Sequence, residues 1–211
     1  MVVTEIILVS YNQDPKLQEE LKQKAPEIFT HFIGVNGLQS LTRGKVVSDD
    51  GAPVDPGSGR SALILEWDRK ESFHDFFPKS PAFQAFAGTM KPFITSPVLP
   101  ELYESPNPSS SCASANITQF IKVARGSDTE NVWGQIKDTI SKSKTETPQF
   151  YHGSGIEEQE GNFLGLIGWP SLKSYEESRK DTTLAKLVDK LSAGGKLYDI
   201  AVDLASIPIS K

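Results

Sequence analysis

The chain has 211 residues, of which 37% are hydrophobic and 23% charged, with a formal net charge of −5. That length holds one large domain or two units of about 100 residues, and the composition is globular rather than disordered. An acidic balance argues against a nucleic-acid partner, because phosphate binding needs a basic face.

The first strand is Thr4-Glu5-Ile6-Ile7-Leu8-Val9, which has neither a basic leader nor a cleavage site. A helix follows at Asp14-Pro15, an acidic N-cap with proline at the first helical position, carrying Leu17 and Leu21 on one face and extended by Ile28 and Phe29 beyond Pro26. Residues 48–59 are dense in Gly, Pro and Asp and read as a loop. Ala62-Leu63-Ile64-Leu65-Glu66-Trp67 is an apolar strand, and a second helix pattern starts at Ser80-Pro81 with Phe83 and Phe86 inward. After a strand at Val98–Glu104 comes a Pro- and Ser-rich stretch, residues 105–115, read as a linker in which Cys112 is an incidental thiol. As the single cysteine, Cys112 allows no intrachain disulfide and no thiolate metal site. In the second half a helix begins near Asp128, with Val132, Ile136 and Ile140 at four-residue spacing. Lys137 to Lys144 includes Asp138 and several hydroxyls and reads as a solvated helix end. A last helix runs from Asp181 to Gly194-Gly195. No apolar run approaches the ~20 residues of a membrane span, and a cytosolic protein without membrane contact is expected.

An internal repeat organises these elements. Leu164-Gly165-Leu166-Ile167-Gly168-Trp169 repeats the strand ending at Trp67, 102 positions on, and Tyr175 repeats Phe73. Thr118 to Val123 repeats Thr4 to Val9, 114 positions on. The difference of 12 falls in the 48–59 loop, and the same comparison pairs Leu102 with Leu204. The chain is thus expected to comprise a first half at 1–104, a linker at 105–115 and a second half at 116–211. Each half has the order strand, helix, strand, strand, helix, strand. The strands are near-continuous apolar runs, as buried on both faces requires, so the two sheets are expected to cover one another.

This pattern, with the Trp-terminated strand and the Ser80-Pro81-Ala82-Phe83 helix start, resembles the dimeric α+β barrel superfamily. Within it the chain looks like antibiotic-biosynthesis-monooxygenase-type and stress-responsive barrel domains, found in tandem in some fungal proteins. The fold implied is α+β: two ferredoxin-like βαββαβ repeats packed sheet to sheet as an intrachain pseudo-dimer. The resemblance implies a ligand cavity between sheet and helices in each half, and further self-association. In half one that cavity would be lined by Asn36, Trp67, Phe77, Phe83, Phe86 and Tyr103. In half two the corresponding residues are Tyr151, His152, Trp169, Tyr175 and Tyr198.

His74, among Phe73, Phe76 and Phe77, is the sequence's candidate catalytic base, since imidazole titrates near neutral pH. The plainer reading is a histidine at a helix edge in water, and half two has Glu176 at the equivalent position. His152 reaches either a cavity or solvent from its strand, and His31 suits a helix C-terminus. The two tryptophans and the Phe cluster serve equally as core. Three scattered histidines give no metal-ligand spacing, and nucleotide phosphate-binding fingerprints are absent. Ser141-Lys142-Ser143-Lys144 fits Ser-x-x-Lys only formally, at a polar helix end. No cofactor is expected. Two functions fit: a cofactor-independent monooxygenase or cyclase acting on a hydrophobic, aromatic or polyketide-like molecule, or a non-catalytic stress-responsive or ligand-carrying barrel.

Overall fold

The computed structural model describes residues 1–143, 148–195 and 198–209, so Lys144 of the Ser-x-x-Lys run lies outside the described residues. The first half comprises β1 (Val2–Ser10), α1 (Pro15–Thr30), β2 (Leu38–Asp49), β3 (Ala52–Pro53), β4 (Arg60–Trp67), α2 (Lys70–Phe76), α3 (Pro81–Met90) and β5 (Glu101–Ser105). After α4 (Ser110–Ala113) the second half gives β6 (Ile117–Ala124), α5 (Thr129–Ser143), β7 (Gln149–Gly155), β8 (Asn162–Trp169), α6 (Leu172–Ser178), α7 (Thr182–Leu191) and β9 (Tyr198–Ser206). The helix starts follow local chemistry. The Asp14 carboxylate accepts from the amides of Lys16 and Leu17 at 2.8 and 3.3 Å, and Ser80 Oγ accepts from Phe83 N–H at 3.1 Å. Asp181 does the same for Thr183 and Leu184.

The strands form one sheet in the order β3-β2-β4-β1-β5-β7-β8-β6-β9, and β2 pairs with β9 to close an eight-stranded antiparallel barrel with β3 appended. The fold is therefore the α+β barrel, both halves being supplied by one chain. Strand register shows the internal equivalence directly: Val3 lies opposite Trp67 in β1–β4, and Ile117 lies opposite Trp169 in β6–β8. For the last strands the register corrects the sequence alignment. Glu5 faces Leu102 whereas its equivalent, Gln119, faces Ala201, so Leu102 matches Ala201 and not Leu204. Leu204 instead belongs to the barrel interior.

Side chains alternate along each strand, which divides the core into three. Ile6, Ile64, Tyr103, Phe120, Tyr151, Leu166 and Ile200 fill the barrel interior, drawn from both halves. Val3, Leu65 and Trp67 face the half-one helices, and Ile121, Ile167 and Trp169 face those of half two. Burial on both faces explains the continuous apolar runs of β4 and β8. A fragment of residues 1–105 would expose its share of the interior. It is expected to aggregate or self-dimerise, as read by light scattering after gel filtration; a cooperative monomer would contradict the shared core.

Two segments differ from their sequence reading. The stretch 48–59 is not loop throughout: β2 continues to Asp49 and turns back through Asp50 and Gly51, both at positive φ, into β3. The 105–115 linker is not a loose tether. Ser109 and Cys112 are fully buried, because α4 closes one end of the barrel. The Glu66 carboxylate accepts from Ser109 N–H at 2.5 Å and from Ser109 Oγ–H at 2.7 Å, and Thr118 donates to the Cys112 carbonyl at 2.7 Å. A Cβ at Gly168 would come within 3.0 Å of Cys112 Cα, so glycine there permits the close approach. Burial pushes the Cys112 thiol up to about 12, which keeps it protonated and inert rather than incidental.

Candidate functional site

Between the half-one sheet and its helices lies a cavity of about 490 Å³, within the size range of small-molecule sites. Its floor is the outward face of β1, with Glu5, Ile7, Val9 and the following Tyr11, joined by Leu63 of β4. Its roof is α3 and the turn before it, with Phe77, Phe83, Phe86, Ala87 and Met90, and Phe29 of α1 forms a wall. Lys91, Thr95 and Ser96 stand at its exposed margin. From Glu5 to Tyr11 the floor runs six residues of extended chain, ~20 Å. The cavity is thus long, apolar and aromatic. Phe77 and Phe83 meet edge to face at 4.9 Å, and Phe86 meets Phe32 likewise at 4.8 Å.

Glu5 is the exception to this apolar lining. Only 4% exposed, its carboxylate accepts a hydrogen bond at 2.8 Å from Trp67 Nε1. Burial pushes its pKa up to about 7, and the Trp67 bond offsets part of that rise. Tyr11 lies at the other end, with the Arg43 guanidinium 4.9 Å from its ring centroid, and its phenol is also shifted up by burial.

Half two repeats the scaffold with a much smaller cavity. At the Glu5 position stands Gln119, whose Oε1 accepts from Trp169 Nε1 at 3.0 Å and whose amide donates to Asp199 at 2.8 Å. Trp133 of α5, 1% exposed, lies over Gly165 and edge-on to Phe163 at 5.7 Å. A Cβ on Gly165 would come within 2.6 Å of the Trp133 ring. The register places Leu63 at the Gly165 position of half one, where it lines the open cavity. About 150 Å³ remains in half two, beside Gln119, Ile136 and Leu184.

The structure brings Phe77, Phe83 and Phe86 together at the cavity. Trp67, fully buried, stands behind it as the partner of Glu5, and Trp169 plays the matching part beside Gln119. His74 lies elsewhere: its ring is on the outer face of α2, exposed, with Nε2 2.6 Å from Glu157 of the other half. Helix phase turns it away from the buried face, which Phe73 and Phe76 take. Asn36 is exposed in the turn before β2. Tyr103 and Tyr151 point into the barrel, Tyr103 donating to Glu101 at 2.9 Å. Tyr198 packs beside that interior with Lys122 Nζ 5.3 Å from its ring centroid. His152, half-buried, stacks on Phe163 at 5.8 Å, and burial followed by nearby Lys137 lowers its pKa. Tyr175 is a core residue whose hydroxyl donates to Ser48 at 3.0 Å. Sequence reasoning passed over Glu5 and Tyr11. The available signal was an acidic residue at an outward position of an otherwise apolar strand, four residues N-terminal to Val9.

No family model matches the chain, and no curated protein matches it in sequence. Solved structures do match its fold. A candidate monooxygenase from Lactobacillus acidophilus superposes with a TM-score of 0.59 at 13% identity, covering 99% of this chain and 97% of that one. An anthrone oxidase-like protein gives 0.56 at 13% identity, over 97% and 93%. A candidate monooxygenase from Fusobacterium nucleatum gives 0.55 at 9% identity, over 96% and 92%. Each is matched over nearly its whole length by both halves of this chain together. At these identities the likeness is one of fold. No helix among the described residues is long and apolar enough to cross a membrane.

Proposed function

We propose that this chain is a small-molecule-binding α+β barrel that takes a flat, hydrophobic aromatic ligand in half one, and that it acts on that ligand in the manner of a cofactor-independent oxygenase or cyclase. The observation that carries the reading is the half-one cavity, about 490 Å³ and lined by Phe29, Phe77, Phe83 and Phe86. Rings and aliphatic side chains supply dispersion contacts over both faces of a planar molecule. The fold is that of proteins described as monooxygenases and as anthrone oxidase-like, which is consistent with such a ligand. The ionisable carboxyl of Glu5 inside the apolar lining supports chemistry over simple carriage, since it supplies a group able to move a proton that the aromatic lining lacks.

Native mass spectrometry of the protein from its source organism is expected to retain an aromatic small molecule. Ala87→Phe places a ring in the cavity from half-exposed α3. It is expected to weaken binding of that molecule at least ~10-fold, as one ring's displacement of ligand contacts implies, with little change in melting temperature. Undiminished binding by Ala87→Phe would place the ligand elsewhere and sink the reading.

A further inference from the structure

Resting on the half-one cavity as a ligand site, we propose that Glu5 is its catalytic residue: the carboxylate oxygen not held by Trp67 takes a proton from a weakly acidic C–H or O–H group of a hydrophobic, ring-bearing ligand. The bond broken is the ligand's C–H or O–H, and the bond formed is O–H on Glu5. The electron pair stays on the ligand as an enolate or phenolate. Return of a proton from the carboxyl to the ligand, at another carbon for a tautomerisation or at the same carbon after exchange with solvent, restores the carboxylate, so the step needs no oxidant.

Three features of the geometry support this assignment. Glu5 lines the cavity floor while one oxygen is fixed by the Trp67 indole at 2.8 Å, which orients the carboxyl without satisfying it. Among the described lining residues the other ionisable groups are Tyr11 and Lys91, and neither competes for the role. Tyr11 lies ~20 Å along the strand under the Arg43 guanidinium, and Lys91 is exposed at the margin. From β4 and β5, Glu5 is faced by Trp67 and Leu102, and from the helix side by the phenylalanines, so among the described residues no cation holds it ionised. Its raised pKa, about 7, also matches a base working near neutral pH. The chain contains its own comparison: half two has a neutral Gln119 at the same place beside a space of only about 150 Å³, and Trp133 fills the room over Gly165 where Leu63 lines the larger cavity of half one. The acid occurs with the large cavity and the amide with the small one.

The substrate class follows. A hydrophobic ketone or phenol with a fused ring would bury its rings under Phe83 and Phe86 and direct its acidic position to Glu5. A usable probe is 2-tetralone, a two-ring ketone whose α-hydrogens exchange with D2O, followed by proton NMR on the full chain. Exchange is expected to be accelerated by the protein, rising with pH through about 7 and then levelling. Glu5→Gln should slow it ~100-fold or more, the usual reach of a general base, while the dissociation constant of 2-tetralone, read by saturation-transfer NMR, stays within ~3-fold. The variant reproduces the Gln119–Trp169 pairing that this fold already accommodates. Ala87→Phe should lose both binding and exchange. Bound 2-tetralone that exchanges no faster than in buffer, or equally fast in Glu5→Gln, overturns the base and leaves the cavity standing. If 2-tetralone does not bind the native chain, the cavity reading falls and the base with it.

Discussion

Replacing Trp133 with alanine is expected to lower stability by about 3–5 kcal/mol and to open in half two the cavity that half one already has. Trp133 is 1% exposed and packs on Phe163, with its ring over Gly165 and no side chain beneath to expand into the space. Its indole N–H finds no hydrogen-bond partner among the described residues, so the loss would be one of packing alone. For a chain of this size the melting temperature should drop by roughly 10 °C. Added indole should recover part of the loss by occupying the vacated space, as a ligand that binds only the folded state does. Indifference of the variant to indole would mean that α5 collapses onto the sheet, and that the two halves differ by more than one side chain.

The second expected result concerns Glu5 and pH. Burial holds its folded-state pKa near 7, against an ordinary value of 4.5. The folded state therefore binds the proton more tightly than the unfolded chain. The contribution of Glu5 to stability is fully present below about 4.5 and is lost as pH rises through about 7. The full span is on the order of 3 kcal/mol. Glu5→Gln cannot ionise and escapes that loss. Urea midpoints of the two proteins should coincide near pH 4, and by pH 8 the variant should be the more stable by up to about 3 kcal/mol. Other titrating groups cancel in the difference. A gap independent of pH would show that Glu5 ionises freely in the fold.

Taken together, the two variants separate scaffold from chemistry. Trp133→Ala sacrifices stability without touching the acid, and Glu5→Gln gains stability while losing the base. That opposition is what a residue kept for activity should show.

Much of the architecture was legible because it rests on local rules. Asp14-Pro15, Ser80-Pro81 and Asp181 mark helix starts through hydrogen bonds made within three residues. The doubly buried strands were visible as unbroken apolar runs. The last-strand alignment slipped because Leu102 and Leu204 look alike, while register is set by pairing with β1 and β6, which a strand's own residues do not record. The linker misled for a related reason: Ser109 and Cys112 are small and polar or nearly so, and only Glu66, 43 residues away, makes burying Ser109 favourable. The candidate site was read through its aromatic residues, and Phe77, Phe83 and Phe86 line one cavity. His74 drew notice by its side-chain chemistry, yet helix phase turns it outward. Glu5 carries no distinctive neighbour in the sequence; what sets it apart is Trp67, 62 residues on, and the empty volume above.

The buried linker also bears on how a chain like this evolves. In two separate subunits the barrel end beneath Glu66 would be closed by each subunit's own residues or left to solvent. Here one covalent segment seals it, and Glu66, Thr118 and Gly168 are fitted to that segment. A gene split between residues 105 and 117 would strand a carboxylate and a bare seam at once, so the fusion has become hard to reverse. With reversal closed, the halves are free to diverge, since a change in one is no longer forced upon the other by symmetry. In this chain that freedom is visible as Trp133 filling room over Gly165 in one half while the other holds Glu5 on the floor of a larger cavity.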